Sequence, residues 1–216
     1  GLRLWGNNNG VLIERCEVLD WWKGLGLNGN NITVRLCDIH RIRSDGINTG
    51  VGSNYLIELN YIHEGGTPGG ASDHRDMIQA IGGAKGITIR DNFLDENNGL
   101  YTQGIWSDHK STDEDLTIED NVLITSHRNA LAWISFTNGH VNRNKVVQRM
   151  INGAPRPDNN PGVAVPKINL NGPLTSFAGN QAPSIIMPTD PSQVVALNDD
   201  AERAAARADS RWAHFF

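Results

Sequence analysis

Apolar positions along this chain come in short bursts of period two, each closed by a polar bend. The repeated form is apolar-x-apolar-x-x-Asn-x-apolar, and it runs through residues 11–18, 32–39, 55–62, 87–94, 116–123 and 139–146. Alternation this short predicts strands, because successive strand side chains point to opposite faces. Aligned, the segments give columns. The first holds Ile13, Val34, Ile57, Ile89, Ile118 and Val141. The next holds Cys16, Cys37, Asn60, Asn92, Asn121 and Asn144, and the third Val18, Ile39, Ile62, Leu94, Leu123 and Val146. A further apolar column follows in each unit: Leu25, Ile47, Ile78, Ile105, Leu131 and Val163.

The first column repeats after 21, 23, 32, 29 and 23 residues. A constant base period with insertions in some units is the mark of a solenoid. Each unit predicts two or three short strands separated by bends, every strand pairing with its counterpart in the next coil about 4.8 Å away. Asn suits the second column because it tolerates a left-handed bend and its amide can hydrogen-bond along a stack. Cys16 and Cys37 are neighbours in that column. They are read as two small buried side chains, with a disulfide as the alternative.

The stacking pattern resembles the pectate-lyase-like right-handed parallel β-helix superfamily over residues 1 to about 170. The resemblance implies an all-β solenoid of about six coils. That superfamily contains lyases, epimerases, hydrolases and viral spikes, so the fold alone does not choose among them.

Beyond the solenoid the pattern changes. Eight of the nine prolines lie past residue 154, and residues 171–197 read as an extended, Pro-punctuated segment. Residues 198–216 predict a short C-terminal α-helix. Asp199 and Glu202 have capping-box spacing. Ala201, Ala204, Ala205, Ala208 and Trp212 fall on one helical face. The helix is expected to lie on the solenoid as a lid, or to dock another subunit. Residues 1–8 match residues 24–31, so the chain opens in the middle of a coil. A solenoid end needs a polar cap. The expectation is a longer protein, or a partner subunit at that end, a homo-trimer being one arrangement.

Composition fits this picture: 23 glycines among 216 residues and only 6% aromatics suit many strands and turns. A net charge of −5 argues against a general nucleic-acid surface. No apolar run approaches the roughly 18 residues of a membrane-spanning helix, so no membrane partner is expected. No signal-peptide pattern is visible.

Insertions in a solenoid gather on one face, often the binding face. Here the long ones are residues 63–76, 97–103 and a stretch through 156–160. Counting back from the second apolar column gives polar rows: Arg43, His74, Tyr101, His127; Ser44, Arg75, Thr102, Arg128; and Asp45, Asp76, Gln103, Asn129. A neighbouring outward row is Asn48, Gln79, Trp106, Ala132. Aromatic faces and planar polar groups in one strip suit a sugar polymer. Polysaccharide is therefore the expected partner, with Asp45, Asn48, Gln79, Gln103, Trp106, His127 and Arg128 as binding residues.

The string from Asp73 to Gln79 resembles the Asp/His-rich segments of alginate epimerases and lyases with this fold. Those carry Asp-Pro-His-Asp or a similar string; this chain has no Pro there, and Arg75 stands between His74 and Asp76. The resemblance implies proton abstraction next to a uronate carboxylate, with Asp73, His74, Arg75, Asp76 and Tyr101 as the catalytic group. Arg75 or Arg128 would neutralise the substrate carboxylate. His74 or Tyr101 would move the proton, and Asp76 would orient His74 or share its proton. Two other readings stand beside this one. Asp45 and Asp76, one coil apart, have the spacing of a retaining hydrolase pair. A virion spike or tail fibre recognising glycans without catalysis would use the same strip. Either way the expected location is extracellular or the virion surface.

No cofactor is expected. Asp108, Asp113 and Asp115 are a candidate calcium set, but their spacing matches no fixed loop and a solvated turn is the preferred reading. His40 and His140 read as surface or bend residues. Of Trp21 and Trp22, which share a bend, one is expected in the core and one exposed.

Overall fold

The computed structural model describes residues 1–66, 75–107, 111–155, 165–187 and 190–216. Asp73, His74, Asp108 and Val163 lie outside these residues.

The chain winds as a parallel β-helix with three strands per turn. A first sheet begins each wind at Leu25, Ile47, Ile78, Ile105 and Leu131, each in register with the next. A second sheet carries Ile13, Val34, Ile57, Ile89, Ile118 and Val141 in register. A third is built from Glu17–Leu19, Asp38–His40, Tyr61–His63, Phe93–Asp95, Val122–Thr125 and Lys145–Gln148. Two long strands, Leu25–Arg35 and Ile47–Glu58, run through the corner between the first and second sheets and fuse them into one. Gly52 sits at that corner. A Cβ there would lie 1.8 Å from the Gly29 carbonyl oxygen, so no side chain fits.

The inward columns are as expected and form one continuous apolar core. One position is corrected. Leu131 pairs with Ile168 rather than Val163, because the strand Lys167–Asn171 turns Ile168 and Leu170 inward. The winding also continues past residue 170. Leu174–Ala178 pairs with Gly139–Asn142, and Ser184–Met187 pairs with Lys167–Asn171.

The Asn column is a hydrogen-bonded file through the interior. Asn60 Nδ2 donates to Asn92 Oδ1 at 3.0 Å, Asn92 to Asn121 at 3.0 Å, Asn121 to Asn144 at 3.0 Å and Asn144 to Asn180 at 3.1 Å. The second N–H of each amide reaches a core-strand carbonyl one wind back: Val34, Ile57, Ile89 and Ile118. Each Oδ1 also takes a backbone N–H of the wind before, as Asn121 Oδ1 does from Asn92 N at 3.1 Å. The file ends where the Gln193 side chain accepts from the Asn180 backbone at 2.6 Å. Asn itself does not make the left-handed bend. The residue before it does: Leu59, Asp91, Asp120 and Arg143 have φ between 54° and 57°. Inside the file each Asn amide makes four such hydrogen bonds at once, and the bend falls to whatever precedes it. Cys16 and Cys37 are free thiols; Cys37 is buried and Cys16 exposed.

The C-terminal helix α1 (Asp199–Ala208) lies along the outer face of the third sheet. Its cap is Asn198, whose side chain accepts from Ala201 N at 2.8 Å, one residue earlier than the spacing implied. The expected alanine face is corrected too: Ala201, Ala204, Ala205 and Ala208 are exposed, and Ala206 is buried instead. The docking stripe is Asp199, Glu202, Arg203 and Ala206, because the sheet below offers charges as well as apolar surface. Arg203 grips Asp95 with two bonds of 2.7 and 2.9 Å. Asp199 meets Arg149 at 3.1 Å and Met150 N at 2.9 Å, and Glu202 meets Lys145 at 2.9 Å. Trp212 then packs on Phe93 and donates its indole N–H to the Asp91 carbonyl at 2.8 Å. Among the described residues no helix is long and apolar enough to cross a membrane.

Candidate functional site

The corner between the third and first sheets carries the polar rows. Backbone hydrogen bonds fix their order: Gly46 N to Asp76 O and Gln103 N to Arg75 O, both at 2.9 Å. Asp76 is in register with Gln103, and Asn48, Gln79, Trp106 and Ala132 follow one another across the sheet. The tight passage into the first sheet needs a small residue. A Cβ on Gly104 would stand 2.2 Å from the Ala130 carbonyl oxygen.

The rows reach one wind further back than Arg43, Ser44 and Asp45. Arg43 N bonds Trp21 O at 2.9 Å, Ser44 N bonds Trp22 O at 2.8 Å, and Gly24 N bonds Asp45 O at 2.9 Å. Trp21, Trp22 and Lys23 therefore open the rows that contain Tyr101, Thr102 and Gln103. Both tryptophans are exposed, at 57% and 52%, which corrects the expectation that one is core. The Arg43 guanidinium lies over the Trp22 ring at 4.0 Å. Beside it a cleft of about 340 Å³ is lined by Arg3, Trp21, Trp22, Lys23, Asn48 and Ile81, among others. Counting back 22 residues from Arg43 and Ser44 was the available signal.

In the middle of the strip Asn48 Nδ2 donates to Gln79 Oε1 at 2.5 Å and lies 3.3 Å from Asp45 Oδ2. The Asp45 carboxylate is buried, paired with Lys23 Nζ at 2.7 Å and bonded by Ser44 Oγ at 3.2 Å. Asp76 has no exposed surface, and Arg75 and Gln103 are also buried; Gln79 and Trp106 are half-buried and face outward.

Further along, Tyr101 and His127 touch, with ring centroids 4.0 Å apart. His127 Nδ1 accepts the Asn129 backbone N–H at 2.9 Å, so a neutral His127 carries its proton on Nε2. The bend that holds it is anchored from below. His127 N donates to Thr125 Oγ1 at 2.9 Å. The buried Glu96 carboxylate takes Ser126 N at 2.6 Å and Ser126 Oγ at 2.8 Å, with Thr125 Oγ1 at 3.1 Å. Glu96, Thr125 and Ser126 had no sequence signal, since nothing in their spacing marks them. Arg128 follows on the same bend, and its carbonyl accepts Lys167 N at 3.1 Å.

Of the proposed calcium set, Asp113 is buried and committed to the fold: Ala84 N and the Trp133 indole N–H both donate to it at 2.9 Å. Asp115 accepts from Asn138 at 2.9 Å.

The arrangement offers aromatic faces, amides and guanidinium groups along one surface, at about 4.8 Å per wind. Such a surface can stack on sugar C–H faces, bond hydroxyls and neutralise carboxylates. No curated protein and no solved structure gives a significant match to the chain. A family model described as right-handed beta helix region matches residues 1–155. With most of its length matched and its sheets wound in parallel, the chain belongs to the right-handed β-helix family.

Proposed function

We propose that this protein binds an acidic carbohydrate polymer along the corner strip and processes it as a lyase or epimerase. The observation that carries this reading is the strip of adjacent rows, with Asn48, Gln79 and Trp106 along one, Arg43, Tyr101 and His127 along another, and Trp22 opening a third. Arg75 and Arg128 supply positive charge for a uronate carboxylate. A base removes the proton from the carbon beside that carboxylate, the role assigned to His74 or Tyr101; Asp76 orients His74 or shares its proton, and Asp73 is counted in the same catalytic group. In a lyase the carbon–oxygen bond on the next carbon then breaks, a double bond forms between the two carbons, and the departing oxygen takes up a proton. In an epimerase the proton returns to the opposite face. The hydrolase reading loses ground because Asp45 is already engaged by Lys23, Ser44 and Asn48.

A second reading, a non-catalytic spike or fibre that recognises glycans, draws on the exposed Trp21 and Trp22 beside a wholly buried Asp76. Either activity belongs outside the cell or on a virion surface, and a homo-trimer suits the second. Incubation with alginate and pectate separates the two. New ultraviolet absorbance from unsaturated ends, abolished by Asp76→Ala, supports the lyase; binding on a glycan array without product supports the spike. Turnover that survives Asp76→Ala removes the catalytic assignment.

A further inference from the structure

A second cluster lies on the outer face of the third sheet. Register places Glu17 beside Asp38, and His40 beside His63. Strand residues two apart share a face, so these four side chains form one patch. The carboxylate of each wind meets the imidazole of the next. Glu17 Oε1 is 3.1 Å from His40 Nε2, and Asp38 Oδ1 is 3.0 Å from His63 Nε2. The two imidazoles stack with centroids 4.8 Å apart and planes 8° from parallel. One ligand atom each from Asp38, His40 and His63 lies within 4.8 Å of the others.

The bare cluster is poorly satisfied. A neutral imidazole has one N–H and one lone pair. If Nε2–H serves the carboxylates, Nδ1 of both rings is a buried acceptor with no hydrogen-bond donor. Placing a cation on the Nε2 lone pairs moves each proton to Nδ1. For His63 the Glu64 carboxylate, with Oε2 3.8 Å from Nδ1, needs only a small shift to accept that N–H. A ligating histidine commonly orients itself by giving its other N–H to a carboxylate in this way.

We infer that Glu17, Asp38, His40 and His63 form a site for one divalent transition-metal ion of zinc's type. Two imidazoles and two carboxylates are a donor set for zinc, copper or nickel, whereas calcium and magnesium take oxygen alone. The two carboxylates balance the ion's charge. Glu17 is 63% exposed and gives both an entry path and the freedom to close on the ion. His40 and His63 are held by the sheet register, and Tyr61 stacks on His63 at 4.0 Å, which limits how far that ring can swing. The site is independent of the corner strip.

The test is calorimetric titration of the full chain with zinc chloride, in a Cys16→Ser background so that the exposed thiol does not compete. One ion per chain is expected, with at least about tenfold weaker affinity in His63→Gln and in Asp38→Asn and no uptake in His40→Gln/His63→Gln. Cobalt should give the intense visible bands of a low-symmetry site. Circular dichroism checks that the sheets persist; should the double variant unfold, the two single variants decide. Absence of zinc uptake by the Cys16→Ser chain overturns the proposal, as does unchanged affinity in both single variants.

Discussion

Tyr101 and His127 meet across neighbouring winds, their ring planes tilted by 42°. Neither could reach the other along the chain; the register of the first sheet makes them neighbours. The contact joins a group able to donate a phenolic proton to an imidazole whose Nδ1 is already occupied by Asn129 N. A neutral His127 therefore has its proton on Nε2. His127→Ala is expected to lower polymer affinity or turnover by about tenfold, and Thr125→Val, which frees the bend without touching the ring, by less. Steady-state rates and affinity electrophoresis in polysaccharide gels read the difference.

Trp22 lies under Arg43 and in the row of Arg75 and Arg128. A stacked aromatic of this kind contributes about 0.5–1.5 kcal/mol. Trp22→Ala should therefore weaken polymer binding by roughly two- to tenfold and leave the unfolding midpoint unchanged, since the ring is exposed.

Removal of one amide from the interior file should be costly. Asn121→Ala orphans Asn92 N and the Ile89 carbonyl, both buried. A loss of about 1–3 kcal/mol per orphaned group is expected, against at most about 1 kcal/mol for Lys85→Gln at an exposed ion pair. Guanidinium unfolding of the two variants provides the comparison.

Acid should loosen helix α1 before it melts the solenoid. Burial pushes the Asp199 carboxyl up, but the Met150 N–H, Arg203 and Arg149 outweigh it and hold it below the usual value. A carboxyl depressed in the folded state contributes stability above its unfolded pKa, about 3.9, and loses it as pH falls through the folded value. Amide exchange of residues 199–208 should accelerate in that acid range while the Asn file stays protected. Arg203→Ala, which leaves Asp95 buried without its guanidinium and Asp199 with Arg149 as its only guanidinium, should cost about 3–5 kcal/mol of helix docking and release the helix even at neutral pH.

The two thiols should differ sharply. Burial raises the Cys37 pKa to about 11, so little of the reactive thiolate forms near neutral pH. Ellman's reagent should label Cys16 at once and Cys37 only on unfolding. Two thiols titrating at the same rate would contradict the burial.

Much of the winding was legible because a solenoid repeats its constraints. Ile57, Ile89 and Ile118 meet the same environment in every coil, so the same residue type returns at the same phase. The Asn file was legible for the same reason, but its role was partly misread: Leu59 and Asp91 make the bends, a backbone fact that residue identity does not expose. Where repetition stops, the sequence misled. Ile168 rather than Val163 joins Leu131, since an insertion has no phase of its own. The α1 alanines suggested an apolar contact, whereas Arg203 and Asp199 make the actual one against charges contributed by distant coils. At the candidate site the rows from Arg43 onward were visible by counting, and Trp21 and Trp22 needed only one more step back. His40 and His63 follow the aligned Ile39 and Ile62, so their meeting was legible by the same counting, but neither their burial nor the carboxylates that face them could be read from the column alone.

The amide file has a direction. Every Nδ2 along it donates toward the C-terminal end, from Asn60 through to Asn180, and each segment is chemically the same as the one before. Excising one whole repeat would bring together a donor and an acceptor that already match, and inserting one would do the same. The scaffold can thus be lengthened or shortened in complete turns while its axis stays hydrogen-bonded, which makes the length of the corner strip a quantity that duplication alone can change.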